Sequence, residues 1–154
     1  MALFEPAVSR RRIAGQFLYF SFWLVITVIA ACLHASPTGH GTHEQLGLPP
    51  CPSVLLFSRP CPGCGLTTSW TALIHGNLPF AFHAHPLGPF LYLFFTVTAL
   101  MALRGWVLRE RFNLDSPRFN RVMVVCAVIF FAFGIVRMTT TPNYRTLQDI
   151  SAVR

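Results

Sequence analysis

The sequence predicts an all-α integral membrane protein: three transmembrane helices, with a short interfacial helix after a cysteine turn. Three observations carry this prediction. Of 154 residues, 53% are hydrophobic and only 11% charged, whereas a soluble domain carries about 25% charged residues. Three apolar stretches approach the roughly 20 residues that span a bilayer core. The basic residues, all arginine, flank those stretches rather than lining one face. A formal net charge of +7 would suit nucleic acid only if it were gathered on a groove-fitting or base-stacking element. No such element is visible, so no nucleic-acid partner is expected, and the expected surroundings are a lipid bilayer.

The first span is "IAGQFLYFSFWLVITVIAACL", Ile13–Leu33, uncharged throughout. It follows Arg10, Arg11 and Arg12. The ending "IAAC" resembles a lipoprotein cleavage site with Cys32 as the lipidated residue, but the apolar run is longer than the core of a signal peptide. An uncleaved span is expected. The second span is "PLGPFLYLFFTVTALMAL", Pro86–Leu103, with Pro86 suited to the first helical position. The third is "FNRVMVVCAVIFFAFGIVRM", Phe119–Met138. Its apolar part lies between Arg121 and Arg137, which can snorkel to opposite interfaces; a re-entrant segment is the alternative. The whole chain reads as one membrane domain.

Arginine counting orients these spans. The N-terminus carries three arginines. The loop at 104–120, with its borders, carries Arg104, Arg109, Arg111, Arg118 and Arg121, whereas the loop at 34–85 has only Arg59. The positive-inside rule puts the first two in the cytoplasm and the cysteine loop outside, in a cell (inner) membrane. Arg145 and Arg154, in the tail, are a mild objection.

The outer loop opens with "HASPTGHGTHEQLGLPP", read as irregular linker, with a loose scatter of His34, His40 and His43. After the cysteines, "GLTTSWTALIHG" predicts an amphipathic helix from about Leu66 to His75. Trp70, Leu73 and Ile74 form its apolar face and Thr67, Thr71 and His75 another face, with Gly76 and Asn77 as stops. "NLPFAFHAHP" then leads into the second span as an extended segment. Its His83 and His85 fall on one side, and both are expected to be solvated.

The chemistry lies in Cys51, Cys61 and Cys64. Cys32 and Cys126 sit in spans and are read as small packed hydrophobes. In the CPxCG turn, two intervening residues aim both sulfurs at one centre. Gly65 can take a positive φ, which frees backbone N–H groups to face the thiolates. A tetrahedral zinc site would need Cys51 and a histidine as well, with His75, His83 or His85 as candidates. A redox-active thiol is the second reading, since Cys64 precedes a helix N-terminus that favours a thiolate. A fixed disulfide from Cys51 to Cys61 or Cys64 is the reading preferred over both, and thiols with no such role are the remaining one. Pro62, Gly65 and Thr67 are supporting residues. Arg137 is either an interfacial anchor or a donor to a polar group in the loop. The five acidic residues are scattered, so paired-carboxylate catalysis has no support.

"CPSVLLFSRPCPGCGLTTSWTALIHGNLPFAFHAHPL", Cys51–Leu87, resembles the signature of a bacterial membrane family known as domain of unknown function 2752. Cys51-Pro52, Cys61-Pro62, Cys64-Gly65, Thr67 and His75-Gly76 match its pattern. Arg137 falls where the family often has an arginine. Asn77 stands in place of a common aspartate and His85-Pro86 in place of Asn-Pro. Thr68 departs from the usual arginine, leaving Arg59 as the substitute candidate. The resemblance supports the topology and implies no activity. The expected function is therefore an accessory or scaffold component, leaning away from an enzyme, whose cysteine turn is held by a disulfide or metal. The alternatives are a membrane thiol–disulfide oxidoreductase and a zinc-binding or metal-handling protein. Three short spans bury little surface among themselves, so self-association or a protein partner is expected.

Overall fold

The computed structural model describes residues 4–6, 9–112, 117–141 and 144. Helix dominates it. In chain order the elements are β1 (Phe4–Pro6), α1 (Arg10–Cys32), a 3₁₀ turn (Thr42–Leu46), α2 (Pro52–Phe57), α3 (Leu66–Ile74), α4 (Leu78–Ala84), α5 (Gly88–Leu108), β2 (Glu110–Phe112) and α6 (Pro117–Thr140).

Three segments are long and apolar enough to cross a membrane: Ile13–Cys32, Gly88–Leu108 and Phe119–Thr140. Only 11%, 17% and 6% of their respective windows are buried within the protein. Phe22, Leu93, Val128 and Ile135 are each more than 50% exposed. Exposed apolar surface on this scale is rare on soluble monomers and has lipid as its natural solvent.

The contacts divide the chain into two compact units. One comprises residues 1–29 and 90–125. Here Tyr19 and Thr98 share a hydroxyl–hydroxyl bond of 2.7 Å, Thr27 and Tyr92 one of 3.2 Å, and the Phe17 ring packs tilted against Trp106 at 4.8 Å. Such bonds let polar side chains sit in apolar helices without leaving a donor unmet. β1 and β2 pair antiparallel, Glu5 opposite Arg111.

The other unit comprises residues 30–89 and 126–154 and holds all three loop cysteines. α3 ends in a Schellman motif: Gly76 at φ +79° closes it, with Asn77 N–H donating to Ala72 O and Gly76 N–H to Leu73 O. Asn77 at once caps the next helix, its side chain accepting from Phe80 N–H at 3.2 Å. α4 therefore occupies a stretch read as extended from the sequence. The buried face of α3 is Thr68, Ser69, Thr71 and Ala72, not Trp70, Leu73 and Ile74. Small residues win that face because α4 buries Ala81 and Ala84 nearby and the backbones come close.

Two boundaries shift. α5 begins at Gly88 rather than Pro86, and runs on to Leu108 rather than stopping at Leu103. At the start, a side chain at 88 would collide with Ser69 Oγ, and Trp70 Nε1 donates to Gly88 O at 3.0 Å. Tertiary contact thus holds His85–Leu87 as a turn. At the end, nothing in "RGWVL" breaks a helix, and one exposed arginine does not. α6 is continuous past Arg121, as a crossing helix and not a broken re-entrant one would be. Its start at Pro117 uses the position where a missing N–H costs nothing.

Candidate functional site

The three loop cysteines come from two segments. Cys51 is the N-cap of α2, with its carbonyl accepting from Val54 and Leu55 N–H. Ser58, at φ +53°, ends α2 and turns the chain back toward the second segment. There the Pro62–Gly63 turn is closed by Cys64 N–H donating to Cys61 O at 3.0 Å and Leu66 N–H to Gly63 O at 3.0 Å. The sulfurs converge. Cys64 Sγ lies 3.2 Å from Cys61 Sγ and 3.4 Å from Cys51 Sγ, and all three lie within 4.8 Å of one another. Cys61 N–H donates to Cys64 Sγ at 3.2 Å.

The turn is fixed from behind by α6. Gly134 leaves room for Pro62, whose ring would strike any side chain there. Arg137 donates through Nη1 to Cys64 O at 2.7 Å and through Nη2 to Ala84 O at 3.1 Å. Nη2 also reaches Tyr144 Oη at 3.1 Å. Of the two roles expected for Arg137, donation to the loop is therefore the one seen. His85 is wholly buried, not solvated. It sits between Phe130 and Phe133, and its Nε2 lies 3.0 Å from Pro62 O. Because a carbonyl only accepts, Nε2 carries the proton there. Gly65 sits at φ +85° with Gly39 O and Ala84 O against the place a Cβ would fill. It is the one glycine of the turn that both its backbone and its surroundings require.

The other expected site residues fall elsewhere. His75 is exposed at the C-cap of α3, its Nδ1 2.8 Å from Thr71 O, and it does not join the sulfur cluster. His83 is exposed on the last turn of α4. Thr68 shares a 2.8 Å bond with Thr42, both buried, so the position of the family's usual arginine is filled by a neutral pair. Arg59 does not replace it: it donates to Met138 O at 2.7 Å and Thr139 O at 3.0 Å, satisfying the end of α6. The "linker" histidines separate. His34 is exposed, and His40 is buried with its ring tilted against Tyr144 at 4.6 Å. His43 is half-buried, with Nε2 3.2 Å from Pro49 O. His40 and His43, with Glu44 and Thr67, line a cavity of about 310 Å³ whose wall includes all three cysteines. No spacing rule signals this, because a 3₁₀ turn rather than a motif brings His43 and Glu44 there.

The electrostatics follow from sulfur–sulfur contact. The Cys61 thiol is pushed well below its ordinary value, chiefly by the Cys64 thiol hydrogen-bonded to it, with Cys51 and the Gly63 and Cys64 backbone adding to the effect and partial burial opposing it. The Cys64 thiol is pushed up by the same contact, by burial and by the nearby Cys61 charge. The pair releases one proton readily and holds the second. His85 is pushed down, first by burial and further by the Arg137 charge.

Comparison with curated proteins and with solved structures returned no match. Residues 51–99, from the first loop cysteine into the second apolar helix, match the family model described as Protein of unknown function (DUF2752), the family whose signature the sequence resembles.

Proposed function

We propose that this is a multi-pass membrane protein whose cysteine loop binds one thiophilic metal ion, of the zinc class, on Cys51, Cys61 and Cys64. One observation carries the proposal: three sulfurs from two separate segments meet within 4.8 Å. A zinc ion with sulfur ligands at about 2.3 Å in tetrahedral array spaces them about 3.8 Å apart, and the contacts of 3.2 and 3.4 Å need only small adjustment. A disulfide would use two of these sulfurs and leave the third without a purpose. The N–H donors around Cys61, from Gly63 and Cys64, suit a thiolate that keeps its charge when ligated. The metal would lock the loop and make the protein a stable extracytoplasmic platform for a partner. The arginine distribution supports a cytoplasmic N-terminus and basic loop in a bacterial inner membrane, with the cysteine loop outside.

Metal analysis of detergent-purified protein, with alkylation of the native and chelated forms, tests the proposal. About one zinc per chain and alkylation of the three loop cysteines only after chelation are expected. A metal-free protein that stays folded in chelator would refute the proposal. Labelling of Cys61 in intact cells by a membrane-impermeant maleimide after chelation tests the orientation.

Thiol–disulfide exchange is the second reading, favoured by the lowered Cys61 thiol beside a protonated Cys64 partner. It predicts mixed disulfides trapped by a Cys64→Ser variant.

A further inference from the structure

We infer that a metal held by Cys51, Cys61 and Cys64 keeps one coordination position open toward the cavity, and that this position accepts a neutral imidazole from another molecule. The inference rests on the three-thiolate reading and goes beyond it. It makes the site one that exchanges ligands rather than a closed staple.

The two sides of the sulfur cluster differ. Behind it the backbone is packed shut. Arg137 holds Cys64 O, His85 holds Pro62 O, and Gly65 admits no side chain against Gly39 O and Ala84 O. In front lies the cavity of about 310 Å³ lined by His43, Glu44 and Thr67. That volume falls in the range of about 300–1,000 Å³ seen for small-molecule pockets.

A zinc-class ion takes four ligands, and sites with three protein ligands leave the fourth to water or substrate. Among the described residues no histidine, aspartate or glutamate atom joins the three sulfurs. The histidines expected to complete the set lie elsewhere: His75 faces Thr71 O, His83 is exposed on α4 outside the cluster, and His85 faces Pro62 O on the packed side. His40 and His43 both lie on the cavity wall, His40 against the Tyr144 ring and His43 with Nε2 turned to Pro49 O.

Charge selects the incoming ligand. Three thiolates and a divalent ion leave the centre at −1, and the Glu44 carboxylate lines the same cavity. A second anion would be brought into a half-enclosed space already negative, at an electrostatic cost. Among neutral donors, imidazole suits zinc-class ions better than a carbonyl or hydroxyl oxygen does. A histidine side chain presented by a partner is therefore the ligand class that fits.

The test uses full-length protein in detergent with Co²⁺ in place of zinc, because cobalt reports its ligands by colour. Sulfur-to-cobalt charge transfer with the intensity of three thiolates, weakened in step with the lost ligand in a Cys51→Ser variant, establishes the three-thiolate centre. Added imidazole is then expected to shift the visible ligand-field bands saturably while the charge-transfer band stays. Azide should bind at least about tenfold more weakly, a gap of about 1.4 kcal/mol. No charge-transfer band would overturn the three-thiolate reading and this inference together. A charge-transfer band with ligand-field bands indifferent to imidazole would overturn this inference alone. A response that appears only in a His43→Ala variant would show that His43 closes the site, and would equally overturn it. Azide binding as tightly as imidazole would refute the choice of ligand.

Discussion

Replacing Arg137 with alanine should loosen the cysteine turn. The guanidinium makes charge-assisted bonds to Cys64 O at 2.7 Å and Ala84 O at 3.1 Å, and Cys64 and Ala84 are only 6% and 1% exposed. A hydrogen bond to a charged group contributes about 1.5–3 kcal/mol, and a buried carbonyl left without a donor costs about 1–3 kcal/mol. These terms overlap, so we expect a loss of about 3–5 kcal/mol for Arg137→Ala. For a chain of this size that lowers the melting temperature by about 6–20 °C. Arg137→Lys keeps the charge but cannot fork to both carbonyls, so it should recover only part of the loss. The assay is thermal unfolding of detergent-purified protein followed by the rate at which Cys64 is alkylated. The readout is thus local to the turn as well as global. If Arg137→Ala leaves both the melting temperature and Cys64 protection unchanged, Arg137 is only an interfacial anchor and the clamp argument fails.

Gly65→Ala should be at least as damaging as Arg137→Lys, because it adds left-handed strain of about 1–2 kcal/mol to a collision with Ala84 O and Gly39 O. Normal yield and melting temperature for this variant would count against the packed turn. In metal-free protein, Cys61 is lowered, so its thiolate persists below the ordinary thiol range. Its alkylation rate should hold as pH falls to near neutrality and drop only at lower pH, whereas a small-molecule thiol reacted alongside loses rate from about pH 8.5 downward. Equal pH profiles for the two would refute the sulfur contact. His85 is lowered by burial, so the unfolded chain takes up its proton first on acidification. Stability tied to His85 is therefore complete above about pH 6.5 and declines as pH falls through that value. His85→Phe should flatten that decline, and an unaltered slope would show that another group causes it.

The spans were legible because membrane solubility demands long apolar runs whatever their neighbours do. Their ends were legible only where a local rule governs, as at Gly76 and Pro117. The start of α5 was not, because the approach of Ser69 to Gly88, a tertiary contact, sets it. α4 does carry a local signal, since Asn77 followed by Pro79 is a helix-opening pattern, although His83 and His85 at alternate positions suit an extended segment as well. β1 and β2, at three residues each, carry too little pattern to be seen. At the site, the CPxCG turn announced Cys61 and Cys64 directly. The arrival of Cys51 depends on the left-handed Ser58, which no spacing rule encodes. Among the histidines His83 is exposed and His85 is not, and spacing cannot distinguish a solvated ring, or one that lines a cavity as His43 does, from one packed against two phenylalanines, as His85 is.

Phe130, Phe133, Gly134 and Arg137 recur at intervals of three and four, so they share one face of α6. In the sequence that face looks like part of an unbroken lipid-facing run ending in an anchor. In the fold each member has a separate task at the cysteine turn: two rings enclose His85, the glycine admits Pro62, and the arginine holds the Cys64 carbonyl. The segment that matches the family model ends at residue 99, so it contains the sulfurs but not the face that positions them. A turn of small and proline-rich residues has little core of its own, and its geometry must be borrowed from a rigid neighbour. The last span of this protein is therefore as much a part of the cysteine site as the cysteines are. Substitutions along the 130–137 face should change metal affinity and thiol reactivity without touching a ligand, whereas substitutions on the exposed Ile135–Val136 side of the same helix should not.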